Sequence, residues 1–143
     1  MLFFCFCIFI ACEQPTQIQL YISEFMSQNT MTHATDKGEY FDWIEIHNAG
    51  AKPINLDGFT LSDNQKKPDK WTFPYVVLAP DERLLVYASH ENRTDPSTDL
   101  HTNFRISSDA EILSLVNNLG VVVDQLAIEH LSPNHSIGVS PIS

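Results

Sequence analysis

Strand-like alternation constrains this chain more than any other feature. In Asp42-Trp43-Ile44-Glu45-Ile46-His47-Asn48, Ile44 and Ile46 fall on one pleat face, while Trp43, Glu45 and His47 fall on the other. A half-buried strand of this kind needs neighbours. The remaining sequence supplies them as short apolar runs set between Gly, Pro, Asn and Asp, continuing to Gly138. No stretch of a dozen residues sustains a 3.6-residue period. About seven to nine short strands at such spacing predict an all-β fold, a β-sandwich.

The order of the runs gives the expected elements. Ile18, Leu20 and Ile22 alternate with polar residues, and the apolar phase then shifts to Phe25, which predicts a bulge near Ser23-Glu24. Ser27 to Gly38 is polar and aperiodic and reads as an excursion over the surface. After the central strand, Asp57-Gly58 supplies a turn with a positive φ. Extended segments follow at Phe59–Ser62, Trp71–Phe73 and Arg83–Ala88, with Val76, Val77 and Leu78 leading into a turn at Ala79-Pro80-Asp81-Glu82. Leu100–Ile106 reads as extended or irregular, anchored by Phe104. Ile112–Val116 and Val121–Leu126, joined by Asn117-Asn118-Leu119-Gly120, form the clearest hairpin signal. The predicted core includes Trp43, Ile44, Ile46, Trp71, Phe73 and Phe104.

A chain of 143 residues suits one domain with a real core. Its formal net charge of −10 opposes phosphate backbones, so nucleic acid is not an expected partner. The basic cluster Lys66, Lys67 and Lys70 reads as a solvated loop.

The N-terminus reads as an address. Residues 1–11 carry no Asp, Glu, Lys, Arg or His and are mostly apolar. That length is well short of the roughly 20 residues that span a bilayer, and it matches a signal-peptide core. Phe9-Ile10-Ala11-Cys12 resembles a bacterial lipobox, with lipidation at Cys12. An ordinary secretory signal is the alternative. On the lipoprotein reading residues 1–11 are the signal peptide, 12–17 a tether and 18–143 the folded domain. No cysteine follows Cys12, so the core holds together by packing.

Chemistry is harder to find. Asp36, Glu39 and Asp42, with Asp63, could furnish an oxygen cage for Ca²⁺, but no twelve-residue calcium loop exists, and the plain reading is solvated charges. The six histidines lack His-x-His or His-Glu-x-x-His spacing, and His101 reads as a packing residue. No nucleophile elbow or phosphate loop is present. Neither a cofactor nor a metal is expected. Trp43, Trp71, Phe73, Tyr87 and Phe104 could stack on sugars, although aromatics at strand positions are more often core.

An ordered set of residues carries a resemblance. Glu24-Phe25, Gly38-Glu39-Tyr40, Asp42-Trp43-Ile44-Glu45-Ile46, Asn48, Leu56-Asp57-Gly58-Phe59, Leu61-Ser62-Asp63-Asn64, Lys70-Trp71 with Phe73-Pro74, Leu78-Ala79-Pro80, Leu100-His101-Thr102-Asn103-Phe104, Val123-Asp124 and Ser136-Ile137-Gly138 resemble a bacterial lamin tail domain. The resemblance runs over roughly residues 18–138 and implies an immunoglobulin-like sandwich. It also implies a non-catalytic role in interaction or attachment. Bacterial members of this kind are mostly secreted or surface proteins, some alone on a lipoprotein and some beside hydrolase modules.

The expected function is therefore an attachment module at the cell envelope, lipid-anchored at the outer membrane or cell surface, or otherwise secreted. Its partner would be a protein or an envelope component, with the membrane engaged through lipidated Cys12. The alternatives are a carbohydrate-binding domain of the envelope and an accessory domain split from a larger secreted hydrolase.

Overall fold

The computed structural model describes residues 18–107, 110, 112–128 and 132–139. The leader, the tether and Cys12 lie outside the described residues. Among the described residues eleven strands form, in chain order β1 (Leu20–Met26), β2 (Asp42–Asn48), β3 (Ile54–Asn55), β4 (Thr60–Ser62), β5 (Trp71–Thr72), β6 (Val77–Leu78), β7 (Arg83–Ala88), β8 (Leu100–His101), β9 (Ile112–Val116), β10 (Val122–Ala127) and β11 (Ser136–Gly138). The count exceeds the expected seven to nine. β3, β6 and β8 have two residues each, and no alternation can show in a run that short.

A five-stranded sheet in the order β11-β1-β2-β7-β8 faces a four-stranded sheet in the order β10-β9-β4-β5, and β3 pairs with β6 as a small third sheet. Every pairing is antiparallel except β7 with β8, which is parallel. β2 lies at the centre of its sheet, as its double-sided burial requires. Ile44 and Ile46 join Ile22, Phe25 and Val86 from the same sheet in one core with Leu61, Trp71, Leu113 and Leu115 from the other. Phe73 and Phe104 belong to that core too, Trp71 meeting Phe73 edge-on at 4.8 Å between ring centres.

The predicted bulge is present. Ile22 pairs with Ile46 but Glu24 pairs with Glu45, so Ser23 is the extra residue, and the slip turns both Ile22 and Phe25 inward. β10 has its own irregularity between Val122 and Asp124. Across the sandwich the Ile22 amide donates to Asp124 Oδ2 at 2.8 Å. One carboxylate thereby bridges two sheets.

Each end of the sandwich is built differently. At the end where β1 and β10 begin, Asn48 is fully buried and its Nδ2 donates to the carbonyls of Lys52, Leu78 and Ala79 at 2.9–3.0 Å. No spacing rule in the sequence marks Asn48 for that task. At the other end, Asp63 is buried and accepts from Lys70 Nζ at 2.5 Å and from the Ser107 amide at 3.1 Å. Lys70 Nζ also lies 5.2 Å from the centre of the Phe104 ring. Lys66 and Lys67 are exposed as expected, but Lys70 is half-buried, because it answers a carboxylate in the interior.

Candidate functional site

The outer face of the five-stranded sheet is where polar and aromatic groups concentrate. Strand alternation sends Trp43 and Tyr87 outward from β2 and β7, and the two pair directly across the strands. They are buried all the same, forming with Met26 a second apolar cluster, against which Phe41 and Leu85 pack. The segment from residue 27 to 41 lies over it: Tyr87 Oη donates to the Ala34 carbonyl at 3.1 Å, and His33 meets Trp43 edge-on at 5.0 Å. The expected surface excursion is therefore a cover, pinned by Asn29, whose Nδ2 donates to the carbonyls of Thr32 and Phe41.

His101 lies beside this cluster on β8, 0% exposed, tilted against Tyr87 at 5.1 Å and edge-on to Phe41 at 5.7 Å. Its Nδ1 is 2.7 Å from Ser89 Oγ, which accepts from the Glu91 amide at 3.2 Å. Ser89 thus has one proton to give, and giving it to Nδ1 leaves the imidazole proton on Nε2, buried without a hydrogen-bond partner. Burial first, and then the nearby Arg93 charge, push the His101 pKa below its ordinary value.

Ser89, His101 and Glu91 invite comparison with a nucleophilic triad. The geometry refuses it. A triad needs its serine and its carboxylate on opposite nitrogens of the imidazole, whereas Glu91 Oε2 sits 3.8 Å from the same Nδ1 that faces Ser89. The Ser89 side chain is also buried, so no substrate can meet the hydroxyl. His47 has a comparable structural role: its Nε2 donates to Asp81 Oδ1 at 2.8 Å and locks the turn into β7.

The four carboxylates considered for Ca²⁺ do not converge on one point. Asp36 has its amide on Asp99 Oδ2 and its own carboxylate 4.0 Å from Arg93. Glu39 is exposed. Asp42 Oδ1 accepts from the Asn29 amide at 3.4 Å, and Asp63 is held in the opposite sheet by Lys70 and Ser107. Among the described residues, no group of three or more His, Cys, Asp or Glu side chains could hold a metal ion. Trp43, Trp71, Phe73, Tyr87 and Phe104 are all buried, which removes them as a sugar platform.

Two open hollows lie among the described residues. The larger, about 510 Å³, is lined by Asp63, Asn64, Gln65, Lys66 and Lys70 among others, with its only buried charges already paired. The smaller, about 200 Å³, lies at the rim of β2 and β7 between Tyr40, Phe41, Asp42 and Arg105. Desolvation holds the Asp42 carboxyl above its ordinary pKa, against the lowering effect of the Asn29 amide. Tyr40 offers an exposed ring there.

Two facing sheets, antiparallel except for the β7–β8 pair and bordered by short strands, define an immunoglobulin-like β-sandwich whose buried polar groups serve packing. Residues 13–130 match the model of the lamin tail domain, and the chain belongs to that family. No curated protein matches the sequence.

Proposed function

We propose that this chain is a non-catalytic attachment module, held outside the cytoplasm by a lipid on Cys12 and engaging a protein or another component of the cell envelope. One observation carries the non-catalytic part: the grouping closest to catalytic machinery, Ser89 with His101, is buried and has its carboxylate on the wrong side of the ring. Family membership agrees with a module of this kind. The tether rests on the apolar leader and the Ala11-Cys12 junction.

Metabolic labelling with a fatty acid tests the anchor. The expected result is incorporation into the native chain and none into Cys12→Ala, which moves from the membrane fraction to the soluble one. Assays against phosphate esters, nucleic acids and glycosides test the absence of chemistry. Turnover that disappears in Ser89→Ala would overturn the reading.

The smaller hollow favours a second reading, a carbohydrate-binding domain. An exposed ring at Tyr40, a carboxylate at Asp42 and a guanidinium at Arg105 are groups that stack on a pyranose and bond its hydroxyls. A glycan array showing binding that Tyr40→Ala abolishes would favour it over a protein partner.

A further inference from the structure

Exposed apolar side chains are unevenly distributed over this sandwich. Ile18, Tyr75, Val77, Leu119, Val121 and Val122 all belong to one end, Leu119 being 83% exposed. Bonds between their chain neighbours place them at the same end. The Gln19 carbonyl accepts from the Ala49 amide, Asn48 binds the Leu78 carbonyl, and Val77 pairs with Asn55. The Leu56 amide donates to Val76, and Gly58 packs against Asn118 at the base of the β9–β10 turn. Gly120, at a φ of 78°, allows the tight backbone that presents Leu119 and Val121 at the tip.

The end of the sandwich where this tip projects is also where the chain enters. β1 and β10 both start there and run side by side, as the registers of β4, β9 and β10 and the bond from Ile22 to Asp124 together place them. Residues 12–17 precede the entry point, and six residues reach at most about 20 Å even when fully extended. A lipid on Cys12 therefore keeps this end against the bilayer and leaves the Asp63 and Ser89 loops facing away.

We propose that the Leu119 tip, with Val121 and Val122, docks into the phospholipid surface in which the Cys12 lipid is rooted, fixing the domain upright with its polar end outward. The inference rests on the tethered reading of Cys12. Tethering supplies the high effective concentration that lets a small apolar contact persist. Valine and leucine side chains at a tip enter the boundary between headgroups and acyl chains. Among the exposed charges near this end Asp57, Asp81 and Glu82 outnumber Lys52 and Arg83, so the contact favours neutral lipids over anionic ones.

The test uses the full chain with Cys5→Ser and Cys7→Ser, so that Cys12 is its only thiol, coupled to a maleimide lipid in phosphatidylcholine vesicles. This makes orientation readable whether or not a cell acylates Cys12, which fatty-acid labelling answers separately. Leu119→Trp is compared with Gln65→Trp, an exposed position in the loop after β4 at the opposite end. The native Trp43 and Trp71 are both 2% exposed and give a constant background. Brominated acyl chains should quench the tryptophan introduced by L119W several-fold more than that introduced by Q65W, with the stronger effect in neutral vesicles. Adding Val121→Asp and Val122→Asp should reduce the difference, with the melting midpoint as a check on folding. Equal quenching at both positions would overturn the proposal. So would lipid-free dimerisation that the two Asp substitutions relieve, since a second copy would then be what covers the tip.

Discussion

The five-stranded sheet is buried on both faces, but by different means. Its inner face meets a second sheet, and apart from the bond from the Ile22 amide to Asp124 the contact is aliphatic and aromatic, Ile44 and Ile46 closing on Leu61, Trp71 and Leu115. Among the described residues its outer face meets the segment from residue 27 to 41 and the loop after β7, and there Trp43, Tyr87 and His101 carry hydrogen-bonding groups into the interior. A face covered by a sheet can be purely apolar because the backbone of the cover is already paired. A face covered by loops must also satisfy loop carbonyls, such as that of Ala34, and so recruits side chains with a polar tip.

The largest expected effect separates the two faces outright. Trp71→Ala should cost about 3–5 kcal/mol by removing a ring from a core that cannot collapse around the gap. Trp43→Ala should fall at or below the bottom of that range, because a loop can settle into the space more readily than a strand. Urea denaturation of both variants measures this, and equal costs would erase the distinction. Next in size is the closure between the sheets. Asp124→Ala should cost about 1–3 kcal/mol by leaving the Ile22 amide unpaired at its bulge, and it should leave the exchange of the 27–41 amides unchanged.

Acid should act on the outer face. The folded pKa of His101 lies below its ordinary value of 6.5, so between those two values the unfolded chain holds more protons than the folded one. Stability from this group is complete above pH 6.5 and is lost as pH falls through the window. Asp42 and Asp124 run the other way, their carboxyls being raised above 3.8 by burial, so acidification just above that value favours the folded chain. Urea midpoints at successive pH values, in the native chain and in His101→Gln, should show a decline just below pH 6.5 in the former only, while below pH 4.5 the lowered pKa of Glu45 makes both lose stability. Tyr87→Phe is the smallest change, about 0.5–1.5 kcal/mol for one hydrogen bond. Hydrogen exchange should show faster opening of residues 29–35 and little change in β9.

The inner face was legible in the sequence because a two-residue period is a local signal. Ile44, Ile46 and the shift from Ile22 to Phe25 announced both the core and the bulge. The same alternation placed Trp43 on the opposite face but could not say that anything covered it, since the cover comes from residues with no period of their own. His101 was legible as a packing residue, while its partner Ser89 was not, because their meeting depends on a parallel pairing of β7 with the two-residue β8. Asn48 and Asp124 act across distances that no spacing rule encodes. The smaller hollow escaped notice for the same reason: Asp42 and Arg105 are far apart in the chain and meet only through the fold.

The margins of the two sheets have a consequence for crowding. β8, β5 and β11 are two, two and three residues long, and the remaining border strand, β10, is bent by its irregularity and runs against β1. Borders so short or distorted give an incoming extended segment almost no ladder to extend. Many copies concentrated side by side would stay separate molecules, resisting the stacking into fibrils to which exposed β borders are otherwise prone.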